Sequence, residues 1–587
     1  MLRQAVLRDD AAGHWLLFDR PEEVLVAHDV SDVVRVLTEA EERVAKEGLH
    51  AAGFLGYEAA AAFDEAFSAR TGGALPLVVL GLFREPERRH RLPGTGAGGR
   101  PLPEWAFTGS REGYLASLGR IRDEIRRGNT YQVNFTVRQR AAGVDYPWEL
   151  FLATASDAPF AAFIDLGEFS ILSASPELFF DLEGERLACR PMKGTAARGM
   201  TTAEDREQKR RLQASLKDRA ENVMIADMVR NDMGRVAAAG SVEAVALYDI
   251  EKYRTVWQMT STITASTRAS VCDIFRALFP SASVTGAPKV ASMQLIAELE
   301  DSPREVYTGA IGYLSPGRRA RFSVAIRTAV IDRKTGTGRY GVGGGIVWDS
   351  VPEDEYEECL DKAKVLASPV PDRQFKLLET LRWDEGYALL EEHMERLEES
   401  AEYFDFALDR AEVTRQLEEL AAGFAVGRAF RVRLLAARNG DVQLETRLLP
   451  AQPGAPLWRL VLAAFPVDPR DPFLYHKTTR RDVYDRALEG IGDCDDVVLW
   501  NEQGDVTETS VGNLVVRAAG RLWTPPVRCG LLAGTFRRKL LHENVIAERP
   551  ISVEEFAGAA EIFVINSVRG WVPCSLQEPA EGKRGQR

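Results

Sequence analysis

Long apolar runs are missing from this chain. Neither Met1 to Asp10 nor any later stretch sustains the hydrophobicity of a signal peptide or a membrane span, so the cytoplasm is the expected compartment. A basic excess is missing too: 74 Lys and Arg residues stand against 87 Asp and Glu, the net charge is −13, and no long Lys/Arg block occurs. That balance argues against nucleic acid and anionic membrane surfaces as partners. Cysteine is scarce. Cys189, Cys272, Cys359, Cys494, Cys529 and Cys574 are far apart and lack paired metal spacing, which suits reduced thiols and puts none in a catalytic setting. No internal repeat of fixed period is present.

What the chain has is globular sequence: 587 residues, 45% of them hydrophobic, are more than one core usually supports, and two large domains are expected. The clearest seam is Ala367-Ser368-Pro369-Val370-Pro371-Asp372, where two prolines separate a charged helical segment from a strand-like run at 375–381. This places a first domain at 1–368, a linker at 369–374 and a second domain at 375–576, followed by a polar tail at 577–587 expected to be disordered. Residues 92–103, rich in Gly and Pro, read as a surface loop. Apolar residues at Leu212, Leu216, Ala220, Val223 and Met224 or Ile225 predict a helix over 211–229. Strand-like runs recur at 160–164, 179–182 and 322–331, and the mixture predicts an α+β fold.

Two acidic pairs carry the first hint of chemistry. Asp218 with Glu221, and Glu355 with Glu358, are each spaced so that both carboxylates leave one face of a helix. Four such oxygen donors suit a hard cation such as Mg²⁺, although most pairs of this kind are solvated surface charges. Their setting is more specific. They lie in Lys217-Asp218-Arg219-Ala220-Glu221-Asn222 and Glu355-Tyr356-Glu357-Glu358-Cys359-Leu360-Asp361-Lys362. With Ser173-Ala174-Ser175-Pro176-Glu177, Pro191-Met192-Lys193-Gly194-Thr195, Ser283-Val284-Thr285-Gly286-Ala287-Pro288-Lys289, Tyr307-Thr308-Gly309, Ala325-Ile326-Arg327-Thr328 and Gly341-Val342-Gly343-Gly344-Gly345, these runs make most of residues 110–366 resemble the chorismate-utilising enzymes.

The resemblance implies a two-sheet sandwich with outer helices, and Mg²⁺ held by Glu221 and Glu358 with Asp218 and Glu355 as water-mediated or outer partners. It implies substrate contacts from Thr285, Tyr307, Arg327, Lys362 and the Gly343, Gly344, Gly345 run. Chorismate has two carboxylates: Arg327 can grip one through a planar fork, Tyr307 adds a hydroxyl, and glycines let the backbone approach closely. Read alone, three glycines would mark a tight turn. Lys193 is the discriminating position, because anthranilate synthases typically carry Ala there and aminodeoxychorismate synthases carry Lys. A lysine amine, freed by burial near cations, could attack ring C2 and displace the C4 hydroxyl before ammonia enters at C4. Gln258 stands where many relatives have a histidine, and an amide cannot deliver that proton. No Gly-x-Cys-x-Gly nucleophile turn is present, so ammonia is expected from a separate glutamine amidotransferase subunit. Gly53-Phe54-Leu55-Gly56-Tyr57-Glu58 also resembles the start of aminodeoxychorismate synthase component I.

Beyond the seam, Leu377-Leu378-Glu379-Thr380-Leu381-Arg382, His393-Met394-Glu395-Arg396-Leu397, Tyr475-His476-Lys477-Thr478-Thr479, Asn501 to Ser510 with Asn513, and Leu531-Leu532-Ala533-Gly534-Thr535 resemble the class IV aminotransferase and lyase family. This implies a fold-type IV α/β domain using pyridoxal 5'-phosphate. Lys477 would be the Schiff-base lysine and Glu508 the acid on the pyridine nitrogen, with Arg396, Gly534, Thr535 and Ser567 around the phosphate. Asn566-Ser567-Val568-Arg569-Gly570-Trp571 looks more like aminodeoxychorismate lyase than a branched-chain aminotransferase. Together the two halves predict p-aminobenzoate synthesis for folate: amination of chorismate, then loss of pyruvate. The alternatives are an anthranilate or isochorismate type synthase joined to a transaminase, or a second domain serving only for dimerisation. A homodimer through that domain is expected in either case.

Overall fold

The computed structural model describes residues 1–9, 13–94, 100–367, 375–450 and 456–577, so the expected linker 369–374 and the tail beyond Gln577 lie outside the described residues. The chain divides into two compact units. One comprises Met1–Ala196 with Arg211–Pro371, the other Ala197–Arg210 with Asp372–Arg587.

The first unit is built on two large sheets whose pairings are antiparallel. One runs from Gly286–Ala287 through Gln132–Ala141, Thr337–Ile346, Thr328–Asp332, Phe169–Ser175, Phe160–Asp165, Gln4–Asp9 and His14–Asp19 to Glu87–Arg89. The other runs from Met192–Ala197 through Val256–Ser266, Arg186–Arg190, Leu178–Glu183, Arg319–Val324, Ala310–Ser315, His50–Leu55 and Val78–Phe83 to Glu23–Ala27. Strand alternation explains the layers. Ala5, Leu7, Leu16 and Phe18 face Ala52, Phe54 and Val79 in one core between the sheets. Val6, Trp15 and Leu17, on the opposite face, join Leu118, Ile121, Leu150 and Cys359 from the helices Arg111–Arg126, Pro147–Thr154 and Pro352–Ala363. A third core packs the helices Val30–Glu47, Val271–Leu278 and Leu216–Gly234 on the second sheet. The expected sandwich with outer helices is therefore present.

Two local expectations differ. The helix predicted over 211–229 is two helices, Thr202–Ala214 and Leu216–Gly234, because the Ser215 hydroxyl accepts the Asp218 N–H and caps the second one. Its buried face is Asn222, Ile225, Ala226, Val229 and Met233, whereas Leu216 is 81% exposed. The run at 322–331 is likewise divided: Arg319–Val324 and Thr328–Asp332 belong to different sheets, and Arg327 turns between them with a positive φ of 50°.

The second unit has a three-stranded sheet, Leu377–Trp383, Phe430–Ala436 and Val442–Leu448, covered by the helices Leu390–Phe404 and Arg410–Ala422. Its eight-stranded sheet is mixed and returns on itself through pairing of Val506–Thr509 with Asn513–Ala518. Among the described residues no helix is long and apolar enough to cross a membrane.

Candidate active sites

In the first unit, four elements converge on the glycine strand Thr337–Ile346. Strand pairing sets Gly343 opposite Thr136, and a Cβ at Gly343 would fall 2.2 Å from the Phe135 carbonyl oxygen; only glycine permits that approach. A Cβ at Gly344 would lie 3.0 Å from Glu355 Oε2, and one at Gly345 would lie 2.8 Å from Gln132 Nε2 and 3.0 Å from Lys193 Nζ. The side-chain ends of Glu355, Gln132 and Lys193 thus meet over the glycines, and the run is a strand, not a turn.

Lys193 sits on the edge strand Met192–Ala197, with its amine 3.2 Å from Glu221 Oε2. Its nearest charged partner is thus a carboxylate, not the second cation expected from sequence. Asn222 donates to the Lys193 carbonyl at 3.1 Å. Gln258 donates to the Gly194 carbonyl at 2.7 Å and accepts from the Thr195 hydroxyl at 2.9 Å. The residue that departs from the family pattern therefore braces the two residues that follow the lysine.

Glu355, Glu358 and Lys362 come from one face of the helix Pro352–Ala363, which Pro352 starts. Lys362 Nζ lies 2.6 Å from Glu358 Oε1 and donates to the Gly343 carbonyl at 2.9 Å. Ser350 donates to Glu355 at 2.7 Å, and burial pushes the Glu355 carboxyl up. Asp218 packs beside Gly194, 3.0 Å from where a Cβ there would be. The donor set suits Mg²⁺. In this structure, however, lysine ammonium groups face Glu221 and Glu358, and among the described residues no three His, Cys, Asp or Glu side chains are arranged to hold a metal.

Of the other expected substrate contacts, Arg327 is held below its ordinary value by burial, and no hydrogen bond from its guanidinium group occurs among the described residues. Tyr307 is buried beneath the Arg138 guanidinium, 5.3 Å from the ring centre. The Thr285 hydroxyl is engaged by the Ser281 carbonyl at 2.6 Å, so substrate contact would require it to turn. Sequence reasoning missed Gln132. It is 1% exposed, neither atom of its carboxamide has a partner, and it points to the same spot as the Lys193 amine. An unpaired buried amide is costly, and its place beside the Lys193 amine makes it a candidate ligand contact. The available signal was Gln132 and Asn134, the two polar residues of the run Gln132-Val133-Asn134-Phe135.

In the second unit a cavity of about 320 Å³ gathers Lys477, Glu508, Arg396, Gly534, Thr535 and Ser567. Burial, reinforced by the Arg396 charge, pushes the Lys477 amine down to about 8. Burial raises the Glu508 carboxyl to about 7 despite three donors: the Tyr484 hydroxyl at 2.7 Å, the Leu532 N–H at 3.2 Å and the Asn513 amide at 3.2 Å. Such a carboxyl is poised to ionise against a cationic ring nitrogen. Arg396 is clamped by Glu379, which also takes His393 Nδ1 at 2.7 Å. His393 Nε2 reaches Ser567 at 3.0 Å and Thr535 at 3.3 Å. Glu379 and His393 thus fix the expected phosphate-binding side chains, a role not assigned from sequence. Gly534 caps the helix Thr535–His542, and a Cβ there would fall 2.1 Å from Asn513 Oδ1. A lysine amine, an acid, an arginine and a helix N-terminus in one cradle fit pyridoxal phosphate.

Residues 3–368 match the model of the chorismate binding enzyme family, and residues 376–576 that of the class IV amino-transferases. The first match covers more than half of the chain, which therefore belongs to the chorismate binding enzyme family. The aminodeoxychorismate synthase of Streptomyces griseus is 44% identical over 273 residues, 45% of this chain and 38% of that protein. Aminodeoxychorismate synthase component 1 of Salmonella typhimurium is 41% identical over 270 residues, 45% of this chain and 59% of that protein. The chain thus spans less than two thirds of either relative. Anthranilate synthase component I of Streptococcus pneumoniae shares the fold of the first unit, with a TM-score of 0.53 at 23% identity over 60% of this chain and 92% of that structure.

Proposed function

We propose that the chain makes p-aminobenzoate in two steps: amination of chorismate at C4 in the first unit, then loss of pyruvate from aminodeoxychorismate in the second. The observation that carries this reading is the Lys193 amine over the Gly345 floor, where a ring carbon would have to lie for attack. Lys193 Nζ bonds to C2 while the ring double bonds shift and the C4 hydroxyl leaves. Ammonia then bonds to C4, the double bonds shift back, and the lysine is expelled. Arg327 and Lys362 meet the carboxylates, and Gln132 supplies an amide at the reacting face. Mg²⁺ belongs to the same proposal: Glu221 and Glu358, with Asp218 and Glu355, would hold it once the two lysines release them. The ion would anchor the ring carboxylate and draw electron density from the ring.

In the second unit, Arg396, Gly534, Thr535 and Ser567 would hold the phosphate of pyridoxal phosphate, Lys477 its aldehyde carbon and Glu508 its ring nitrogen. The bound cofactor supplies an electron sink. Lys477, with an amine near neutrality, takes the C4 proton and returns one as the enolpyruvyl group departs. Ammonia would come from a separate glutamine amidotransferase, a reading supported by the "component 1" in the name of the Salmonella relative. Pairing of two chains through residues 375–576 is proposed on the class IV resemblance.

The test is incubation of the purified chain with chorismate, ammonium, Mg²⁺ and pyridoxal phosphate, with products separated against p-aminobenzoate, anthranilate and salicylate. The expected result is p-aminobenzoate with matching pyruvate, abolished by Lys193→Ala, while that variant still converts supplied aminodeoxychorismate. Anthranilate would sink the assignment of Lys193. Accumulated aminodeoxychorismate, with glutamate formed from 2-oxoglutarate, would make the second unit the transaminase of its family's name.

A further inference from the structure

The cavity around Lys477 is strongly unbalanced in charge. Seven arginines line it, and Glu508 is its only acidic lining residue. Most of these arginines have protein partners. Arg396 is held by Glu379, Arg537 by Glu548, Arg433 by Glu445, and Arg480 by Asp482, while Arg481 donates to the Ser510 carbonyl. Arg431 and Arg569 are left, and among the described residues neither guanidinium has a carboxylate within ion-pair distance.

Strand register shows how unusual Arg431 is. It stands directly between Arg382 and Arg447 on the neighbouring strands, three arginines side by side across the small sheet. Like charges directly opposite one another destabilise a sheet, and among the described residues only Arg382 of the three has a carboxylate partner, that of Asp384 at 2.7 Å. Arg569 lies in the turn between Glu561–Asn566 and Gly570–Leu576, its guanidinium 5.1 Å over the Trp458 ring and its backbone N–H donated to Asn566 at 2.9 Å. Arg569 is exposed on the rim of the cavity; desolvation and the neighbouring charge of Arg431 hold its guanidinium below its ordinary value, against the opposing charge of Asp496, so the two cations feel one another. Two adjacent cations with no ion-pair partner among the described residues, on the wall of a cavity that contains a reactive amine, form a receptor for an anion.

We propose that Arg431 and Arg569 form a carboxylate-binding subsite of the Lys477 cavity, and that its ligand is an amino acid carrying two carboxylates. The amine of the ligand points toward Lys477, and each guanidinium takes one of its two carboxylates. A dianion matches the two uncompensated charges, whereas a monocarboxylate leaves one of them unmatched. This deepens the reading of the second unit given above, since aminodeoxychorismate is such a dicarboxylate.

The test uses the full chain loaded with pyridoxal phosphate and measures binding by calorimetry. The probes are 3-(carboxymethoxy)benzoate, with one carboxylate on the ring and one on an ether arm, and benzoate, with one alone. The dicarboxylate is expected to bind at least about tenfold more tightly than benzoate. Arg431→Gln and Arg569→Gln are each expected to remove most of that preference while retaining the visible absorbance of the bound cofactor. Arg517→Gln, which breaks the exposed pair with Glu561, is expected to change nothing. If a glutamine variant fails to fold, Arg569→Lys replaces it and should keep part of the preference. Equal binding of the two acids by the unaltered chain, or an intact preference in both glutamine variants, overturns the proposal. The readout needs no turnover, so a chain lacking lyase activity would sink the functional reading and leave the subsite standing.

Discussion

Lys193 and Lys477 are both candidate catalytic lysines, and their neighbours differ. Lys193 lies against the Glu221 carboxylate, whereas Lys477 is buried with Arg396 nearby and is pushed down to about 8. The second case links to stability. Below about pH 8 the amine is charged in both folded and unfolded chains, and the folded chain bears the full cost of burying it. Between about 8 and 10.5 the unfolded chain alone keeps the proton, so this contribution makes stability rise with pH and then level off. Lys477→Met should therefore raise the melting temperature of the cofactor-free chain at pH 7 by a few degrees. The gain should shrink to nothing by pH 10.5. Calorimetric scans at intervals of one pH unit check this, and a gain constant with pH would mean that the lysine is not the group responsible.

At the scale of elements, the glycine strand Thr337–Ile346 separates folding from chemistry within a few residues. A methyl group at Gly343 meets the backbone carbonyl of Phe135 on the next strand at 2.2 Å, so the strands must part. A methyl group at Gly345 meets only the movable ends of Gln132 and Lys193. Gly343→Ala is expected to lose about 1–3 kcal/mol of stability in urea unfolding. Gly345→Ala is expected to unfold like the parent and yet lose at least about tenfold in p-aminobenzoate formation from chorismate. Equal unfolding midpoints for both variants would refute the distinction. Alone the glycine run read as a tight turn, and only the neighbouring motifs made it legible as a close approach; its strand conformation depends on pairing with Gln132–Ala141, a long-range partner. The carboxylate pairs were legible from helical spacing. The break at Ser215 was not, because Leu212 and Leu216 carry the apolar period straight across it and the competing cap is a single hydroxyl. Gln132, Glu379 and His393 stayed hidden for a different reason: each acquires its role from side chains on other elements.

At the scale of the molecule, the two proline positions near residue 370 made the main seam legible, but composition held no mark of the excursion by which Ala197–Arg210 joins the second unit. That segment is a short polar run continuing into the helix Thr202–Ala214, and its attachment depends on partners some two hundred residues later. Within the second unit Arg198 is buried against Asp205 at 2.6 Å and lies 4.4 Å over the Tyr403 ring. The Tyr403 hydroxyl donates to the Gly199 carbonyl at 2.9 Å, and Thr202 donates to the Glu399 carbonyl at 2.7 Å. His476, the neighbour of Lys477, is held on one side by Ser400 at 3.0 Å and on the other by the Met200 carbonyl at 3.2 Å. The segment is therefore part of the structure that fixes the lysine, and a piece cut at the proline seam would lack it. Residues 372–587 expressed alone should melt below the second transition of the whole chain and exchange the amide hydrogens around His476 and Lys477 faster, because Tyr403 and His476 are opened to water. A synthetic peptide of residues 197–210 should restore part of that protection, and Arg198→Ala in the peptide should weaken the rescue, since it removes both the buried ion pair and the contact with Tyr403. If the isolated piece melts and exchanges as the whole chain does, the segment merely rests on the second unit, and the true boundary is the proline seam.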